Sequence, residues 1–127
     1  MKKIIVTKKA PAAIGPYSQA VVANGFVFCS GQIPLKADGT IVASSIRDQA
    51  TQVMTNLKAV LEATGSGLDK VVKTTIYLTD LKYFQAVNEV YGGYFTENPP
   101  ARATVQVSAL PKGVEIEIEA IAIAPAD

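Results

Sequence analysis

The sequence has no histidine and no tryptophan, a single cysteine, and almost no excess of charge of either sign. Each shortage removes a class of function. Without histidine there is no Ser-His-Asp or Cys-His catalysis, no His-ligated zinc or iron, and no general base that titrates near neutrality unaided. Acid–base work must fall to carboxylates, tyrosine, lysine or bound water. Cys29 alone cannot form an intrachain disulfide, and inside the run Phe26-Val27-Phe28-Cys29 its thiol reads as a small packed hydrophobe. Lysine plus arginine number 12 against 11 acids, a formal charge of +1, so no long-range field marks nucleic acid or an anionic membrane as a partner. Lys2, Lys3, Lys8 and Lys9 cluster, and they read as solvated charges guarding an edge strand rather than as a phosphate site. Long apolar runs are missing too. Lys8 cuts short the apolar start that a signal peptide would need, and no stretch approaches a transmembrane span, so we expect a cytoplasmic protein.

What the chain does have is apolar surface. Its 127 residues are 49% hydrophobic, enough for one domain over residues 1–127 with its own core and no disulfide or structural metal. The excess predicts that part of it is buried between subunits of a homo-oligomer.

The pattern predicts an α+β domain. Ile4 to Thr7 reads as a short strand, followed by a loop stiffened by Pro11 and Pro16 and bent at Gly15. Ser18 to Ala23 and Phe26 to Ser30 flank Asn24-Gly25, a pair suited to a type I′ hairpin turn. From Ile46, the positions Ala50, Val53, Met54, Leu57, Val60 and Leu61 follow helical spacing, with Ser45 and Asp48 as a capping pair and Gly65 as the stop. Val71 to Leu78 is β-branched and strand-like, and Asp80 is placed to cap a second helix running to about Phe95. Pro99-Pro100 forces extended backbone into a strand from Ala101 to Ser108; a turn at Leu110 to Gly113 then leads to a last strand, Val114 to Ile123. The two helices are expected side by side on one face of a mixed sheet, with a partner subunit over the other.

Few residues invite chemistry. Arg102 leaves a proline-stiffened approach, and its planar fork suits a carboxylate; the competing reading is an ion pair with a glutamate of the neighbouring strand. If Leu110 to Gly113 is a four-residue hairpin loop, Arg102, Thr104, Glu117 and Glu119 share one face; a five-residue loop moves the glutamates to the other. Glu117 would gain a raised pKa from burial and a lowered one from Arg102, with the balance open. Asn88 interrupts the stripe Phe84, Asn88, Tyr91, Phe95 on the second helix, as an amide tie or as a ligand contact. Gly65-Ser66-Gly67 is a turn rather than a phosphate loop, and Ser30 has no histidine to activate it.

Six segments occur in an order that resembles a known family. They are Ala-Pro-Ala-Ala-Ile-Gly-Pro-Tyr-Ser-Gln from Ala10, Ser-Gly-Gln-Ile-Pro from Ser30, Val-Lys-Thr-Thr from Val72, Val-Asn-Glu-Val-Tyr from Val87, Pro-Ala-Arg from Pro100, and Leu-Pro-Lys-Gly from Leu110 followed by Glu-Ile-Glu-Ile-Glu-Ala-Ile-Ala. Together they closely resemble the Rid family of reactive intermediate deaminases, the 2-iminobutanoate/2-iminopropanoate deaminases, over nearly the whole chain. The resemblance implies a chorismate-mutase-like fold and a homotrimer whose sheets line a central barrel, with three ligand clefts between subunits. It also implies hydrolysis of 2-imino acids, or their enamine tautomers, to 2-keto acids and ammonia. No cofactor and no metal are implied, and the expected partners are small 2-imino and 2-keto acids and further copies of the chain, not membrane or nucleic acid. By matched position, Arg102 would clamp the substrate carboxylate and Glu117 would orient and deprotonate the attacking water. Tyr17, Ser30, Gly31, Asn88 and Thr104 would line the cleft. The chain departs from the family at Ala103 and Thr104, where many members carry Ser-Cys, so chemistry needing sulfur there is ruled out; its loop before Pro100 is also shorter than in some relatives. Two other functions remain beside the deaminase: a non-catalytic carboxylate-binding regulatory or interaction module, and a ribonuclease or translation inhibitor, against which the near-neutral charge and missing histidine both argue.

Overall fold

The computed structural model describes residues 1–126. Six strands and two helices follow one another as β1 (Lys3–Ile5), β2 (Ala20–Ala23), β3 (Phe26–Gln32), α1 (Ile46–Ala63), β4 (Val71–Leu78), α2 (Phe84–Tyr94), β5 (Ala101–Gln106) and β6 (Ile116–Ile123). The expected α+β class, with a mixed sheet and two helices, is what the chain forms. The element ends differ from expectation by a few residues. The first strand begins one residue earlier and stops at Ile5, β5 stops at Gln106, and β6 starts at Ile116. Asp80 caps a single 3₁₀ turn, Leu81–Tyr83, which runs on into α2.

Local chemistry explains the secure elements. Asn24 (φ 52°) and Gly25 (φ 82°) both take the left-handed conformation that a two-residue hairpin loop needs, with Ala23 facing Phe26 across it. The Ser45 side chain accepts from the Asp48 N–H at 3.1 Å to open α1. At the other end Gly65 (φ 84°) lets its own N–H reach the Glu62 carbonyl and the Ser66 N–H reach that of Leu61, a Schellman closure. The α1 stripe read from spacing is the buried one: Ala50, Val53, Met54, Leu57, Val60 and Leu61. It packs on the inner face of the sheet, formed by Val27, Cys29, Ile76, Leu78, Ile116, Ile118, Ala120 and Ala122, with Val87 and Tyr91 of α2 beside it.

The sheet order is β1-β2-β3-β6-β4-β5. This corrects the expected pairing of the last two strands. β5 does not lie against β6; it pairs in parallel with β4, Arg102 opposite Thr74 and Thr104 opposite Ile76, and β4 sits between them. The residues Leu110 to Gly113 are therefore not a hairpin loop, and contain a 3₁₀ turn with Lys112 at φ 58°. The physical reason is β4 itself. Its alternate residues Thr74, Ile76 and Leu78 are buried under the helices, so it is an interior strand that must pair along both edges. β6 satisfies one edge antiparallel, with Tyr77 opposite Glu117 and Thr75 opposite Glu119, and β5 the other after the α2 crossover.

Pairing fixes the faces. Arg102 and Thr104 share the helix-covered face with Thr74 and Ile76, while Glu117, Glu119, Thr75 and Tyr77 lie on the opposite, open face. That open face carries Ile4, Phe26, Phe28, Val105 and Ile123, each between 40% and 49% exposed.

Candidate active site

Glu117 lines a cavity of about 550 Å³. Tyr17, Ser30 and Gly31 line the same space, joined by Ile14, Gln32 and Lys112. The proline-braced loop is held there by Gln19, a buried amide whose Nε2 donates to the carbonyls of Thr7 (3.0 Å) and Pro11 (2.8 Å) while its Oε1 accepts from the Thr7 N–H at 2.7 Å. Ser30 donates its hydroxyl to the Ser18 carbonyl, and its N–H to that of Gln19, tying β3 to the loop. Gly31 has a different task. A Cβ built on it would lie 2.8 Å from Cδ of Glu117 and 3.0 Å from its Cγ, so the glutamate side chain occupies the space that any other residue would fill. Burial holds the Glu117 carboxyl above its ordinary range, and the neighbouring Glu119 charge pushes it the same way. Arg102, expected as the opposing influence, takes no part in that balance.

Arg102 builds a second site elsewhere. Its Nη1 donates to Asn88 Oδ1 at 2.8 Å, and its guanidinium stands 5.1 Å from the ring centre of Tyr91 and 5.6 Å from that of Phe84. The Tyr91 hydroxyl is fixed in turn by Thr74 at 2.7 Å, and Phe95 packs on its ring at 4.7 Å. The glutamate ion pair does not form: among the described residues the salt bridges are Arg47–Glu89 and Lys82–Asp80. The guanidinium is therefore oriented by an amide and two aromatic faces while the rest of its donor fork remains open to an anion. Beside it, Thr104 Oγ1 is sealed from solvent with no hydrogen-bond partner among the described residues.

The seven site residues read from the sequence thus fall into two groups within one chain. Tyr17, Ser30, Gly31 and Glu117 share the cavity; Asn88 and Arg102 meet at α2 and β5, with Thr104 on the same face of β5; and none of these last three lines the cavity. Arg102 and Glu117 sit three registers apart along the strands, two strands apart across the sheet, and on opposite faces.

A family model described as endoribonuclease L-PSP matches residues 7–124. The chain belongs to this family, the Rid family of reactive intermediate deaminases. A human relative, 2-iminobutanoate/2-iminopropanoate deaminase, is 48% identical over 124 residues, covering 97% of this chain and 90% of its own. Among solved structures, an endoribonuclease candidate from Thermotoga maritima superposes with a TM-score of 0.96 at 52% identity, over 99% of this chain and 100% of its own. The structure of E. coli TdcF with bound serine does so with a TM-score of 0.92 at 44% identity, over 97% and 99%.

This Rid chain also shows what sequence reasoning missed. Tyr91 and Phe84 were visible as a stripe with Asn88, but their hold on Arg102 depends on β5 lying beside β4. Lys112 was read as a turn residue only. Tyr77 gave one signal, a phenol alternating with buried Thr74, Ile76 and Leu78, and its hydroxyl donates to Glu119 on the open face beside Glu117.

Proposed function

We propose that the protein is a hydrolase of 2-imino acids, of the 2-iminobutanoate and 2-iminopropanoate class, acting as a homotrimer with a cleft at each subunit contact. The observation that carries this reading is the separation of Arg102 and Glu117 onto opposite faces of one sheet, each in a half-built site. Two copies, one offering the Arg102 group and the other the Glu117 cavity, complete one cleft. The open apolar sheet face and the exposed edge strand β5 supply surface for that contact. The human relative's activity and the family membership support the substrate class.

In the reaction the substrate carboxylate docks on the open fork of Arg102, already oriented by Asn88 and the two rings. Glu117 accepts a proton from water as the water oxygen adds to C2 of the protonated imine. The resulting carbinolamine carries hydroxyl and amine on one carbon. Glu117 returns its proton to that nitrogen, the C–N bond breaks as the hydroxyl's lone pair forms the carbonyl, and the hydroxyl proton passes through Glu117 to the departing ammonia, so that 2-keto acid and ammonium leave. The raised pKa of Glu117 suits a group that must both take and return a proton. The protonated imine is itself the electrophile, so none of these steps calls on a cofactor.

Coupling the protein to a threonine dehydratase and trapping imine with semicarbazide tests this: the protein should lower semicarbazone yield and raise keto-acid release, and Arg102→Ala should abolish the effect. No change in partition between the two products would refute it.

A second reading, a carboxylate-binding module without turnover, is favoured by the serine held in the E. coli relative. Glu117→Gln separates the two, because binding alone survives that change and hydrolysis does not. RNA cleavage, which the family description names, fits poorly with a formal charge of +1 and no histidine.

A further inference from the structure

Glu117 does not stand alone on the open face. Glu119 follows it at strand spacing, about 7 Å along the same side of β6, and Tyr77 lies directly across from Glu117 on β4. The Tyr77 hydroxyl does not turn to its own cross-strand partner; it donates diagonally to Glu119 Oε1. That choice pins one carboxylate and leaves the other without a donor among the described residues.

We propose that Glu119, pinned by the Tyr77 hydroxyl, is a positioning residue that keeps a fixed negative charge beside Glu117 and so helps Glu117 hold the proton it must return to the leaving amine. This rests on the hydrolase reading given above.

The surroundings leave room for such control. β3 offers Glu117 only Ser30, Gly31 and Gln32, none of them charged. The loops that line the cavity bring Tyr17 and Lys112, β4 brings Tyr77 and, farther along the same face beyond Thr75, Lys73, which pairs with neither glutamate among the described residues, and β6 itself brings Glu119, with Glu115 at its entry. Glu115 is engaged elsewhere: its Oε1 accepts from Gln49 at 2.9 Å, and the nearby Tyr83 hydroxyl helps hold its carboxyl below the ordinary range. No ion pair joins Lys112 to Glu117 among the described residues. Burial is the larger cause of the raised Glu117 pKa and Glu119 the second. The Tyr77 phenol is in turn held above its ordinary range, first by its hydrogen bond to Glu119. A carboxylate fixed by a phenol cannot swing into solvent, where its field would be screened.

The test uses the full, assembled protein and two readings of the same group. The first is the carboxyl carbon of Glu117 followed by NMR across pH; the second is the acid limb of kcat/KM for imine hydrolysis, which reports the free enzyme's base. Glu119→Gln should move both midpoints to lower pH by about 0.5 to 1 unit. Tyr77→Phe should move them the same way by less, and the double variant no further than Glu119→Gln alone, because the phenol acts only through Glu119. An unmoved Glu117 carboxyl in Glu119→Gln overturns the proposal, as does a double variant whose shift is the sum of the singles. The NMR midpoint decides the Glu119 claim whether or not the protein turns over imine. A wild type without turnover sinks the hydrolase reading by itself.

Discussion

Glu117 and Gly31 show how narrow the tolerances are for a single side chain. Because the glutamate lies where a Cβ on residue 31 would go, Gly31→Ala must displace the carboxyl end of a flexible side chain rather than backbone. The expected result is a split: imine turnover falls at least about tenfold while unfolding free energy changes by less than about 1 kcal/mol, measured by urea denaturation on the same preparation. Cys29 makes a different point. Its thiol is buried in the core and desolvation pushes its pKa up to about 12. In the unfolded chain it ionises near pH 8.5. Between those values the unfolded state has lost a proton that the folded state retains, so stability falls as pH rises through that window, by up to about 1.4 kcal/mol per pH unit. Cys29→Val should flatten the alkaline limb of a stability–pH curve and leave the neutral region within about 1.5 kcal/mol of the parent. At this scale the sequence named the positions by resemblance but withheld which of them touch: Tyr17, Ser30, Gly31 and Glu117 share one cavity, while Arg102 meets Asn88 elsewhere.

Elements that depend on neighbours in sequence were legible, and those that depend on distant partners were not. The α1 stripe, its Ser45 cap and the Asn24-Gly25 hairpin all follow from interactions within a few residues. Ser45→Ala removes the acceptor for the Asp48 N–H and should cost about 1 kcal/mol in thermal or chemical denaturation, with activity per folded molecule unchanged. The last two strands are the contrary case. Counting residues across Leu110 to Gly113 assumes that consecutive strands pair, whereas β4 was already waiting with two unsatisfied edges and took β5 on one and β6 on the other. That insertion put Arg102 on the helix side and Glu117 on the open side, an outcome the local count offered only as one of two alternatives and through a strand pairing that does not form.

For the whole molecule the consequence is that one chain holds two separate clusters, Arg102 with Asn88 and Glu117 with its cavity, which the proposed oligomer would join. The mixed sheet buries one face under α1 and α2 and leaves Ile4, Phe26, Phe28, Val105 and Ile123 outside, which is the surplus apolar surface that the composition predicted. The partner subunit expected from that surplus belongs to the proposal, and the strand order supplies its argument, since Arg102 and Glu117 of one chain face opposite sides of the sheet. None of the described helices is long and apolar enough to cross a membrane, so that surface is not a membrane-spanning helix. Subunit complementation tests the account most directly. Arg102→Ala and Glu117→Gln, each inactive alone, are unfolded together in equal amounts and refolded, and mixed oligomers are verified by native mass spectrometry. If each cleft takes Arg102 from one copy and Glu117 from another, about a quarter of the clefts regain both residues and about a quarter of wild-type imine hydrolysis returns. Mixed oligomers that remain as inactive as their parents, beside a wild type that refolds to full activity, would contradict it.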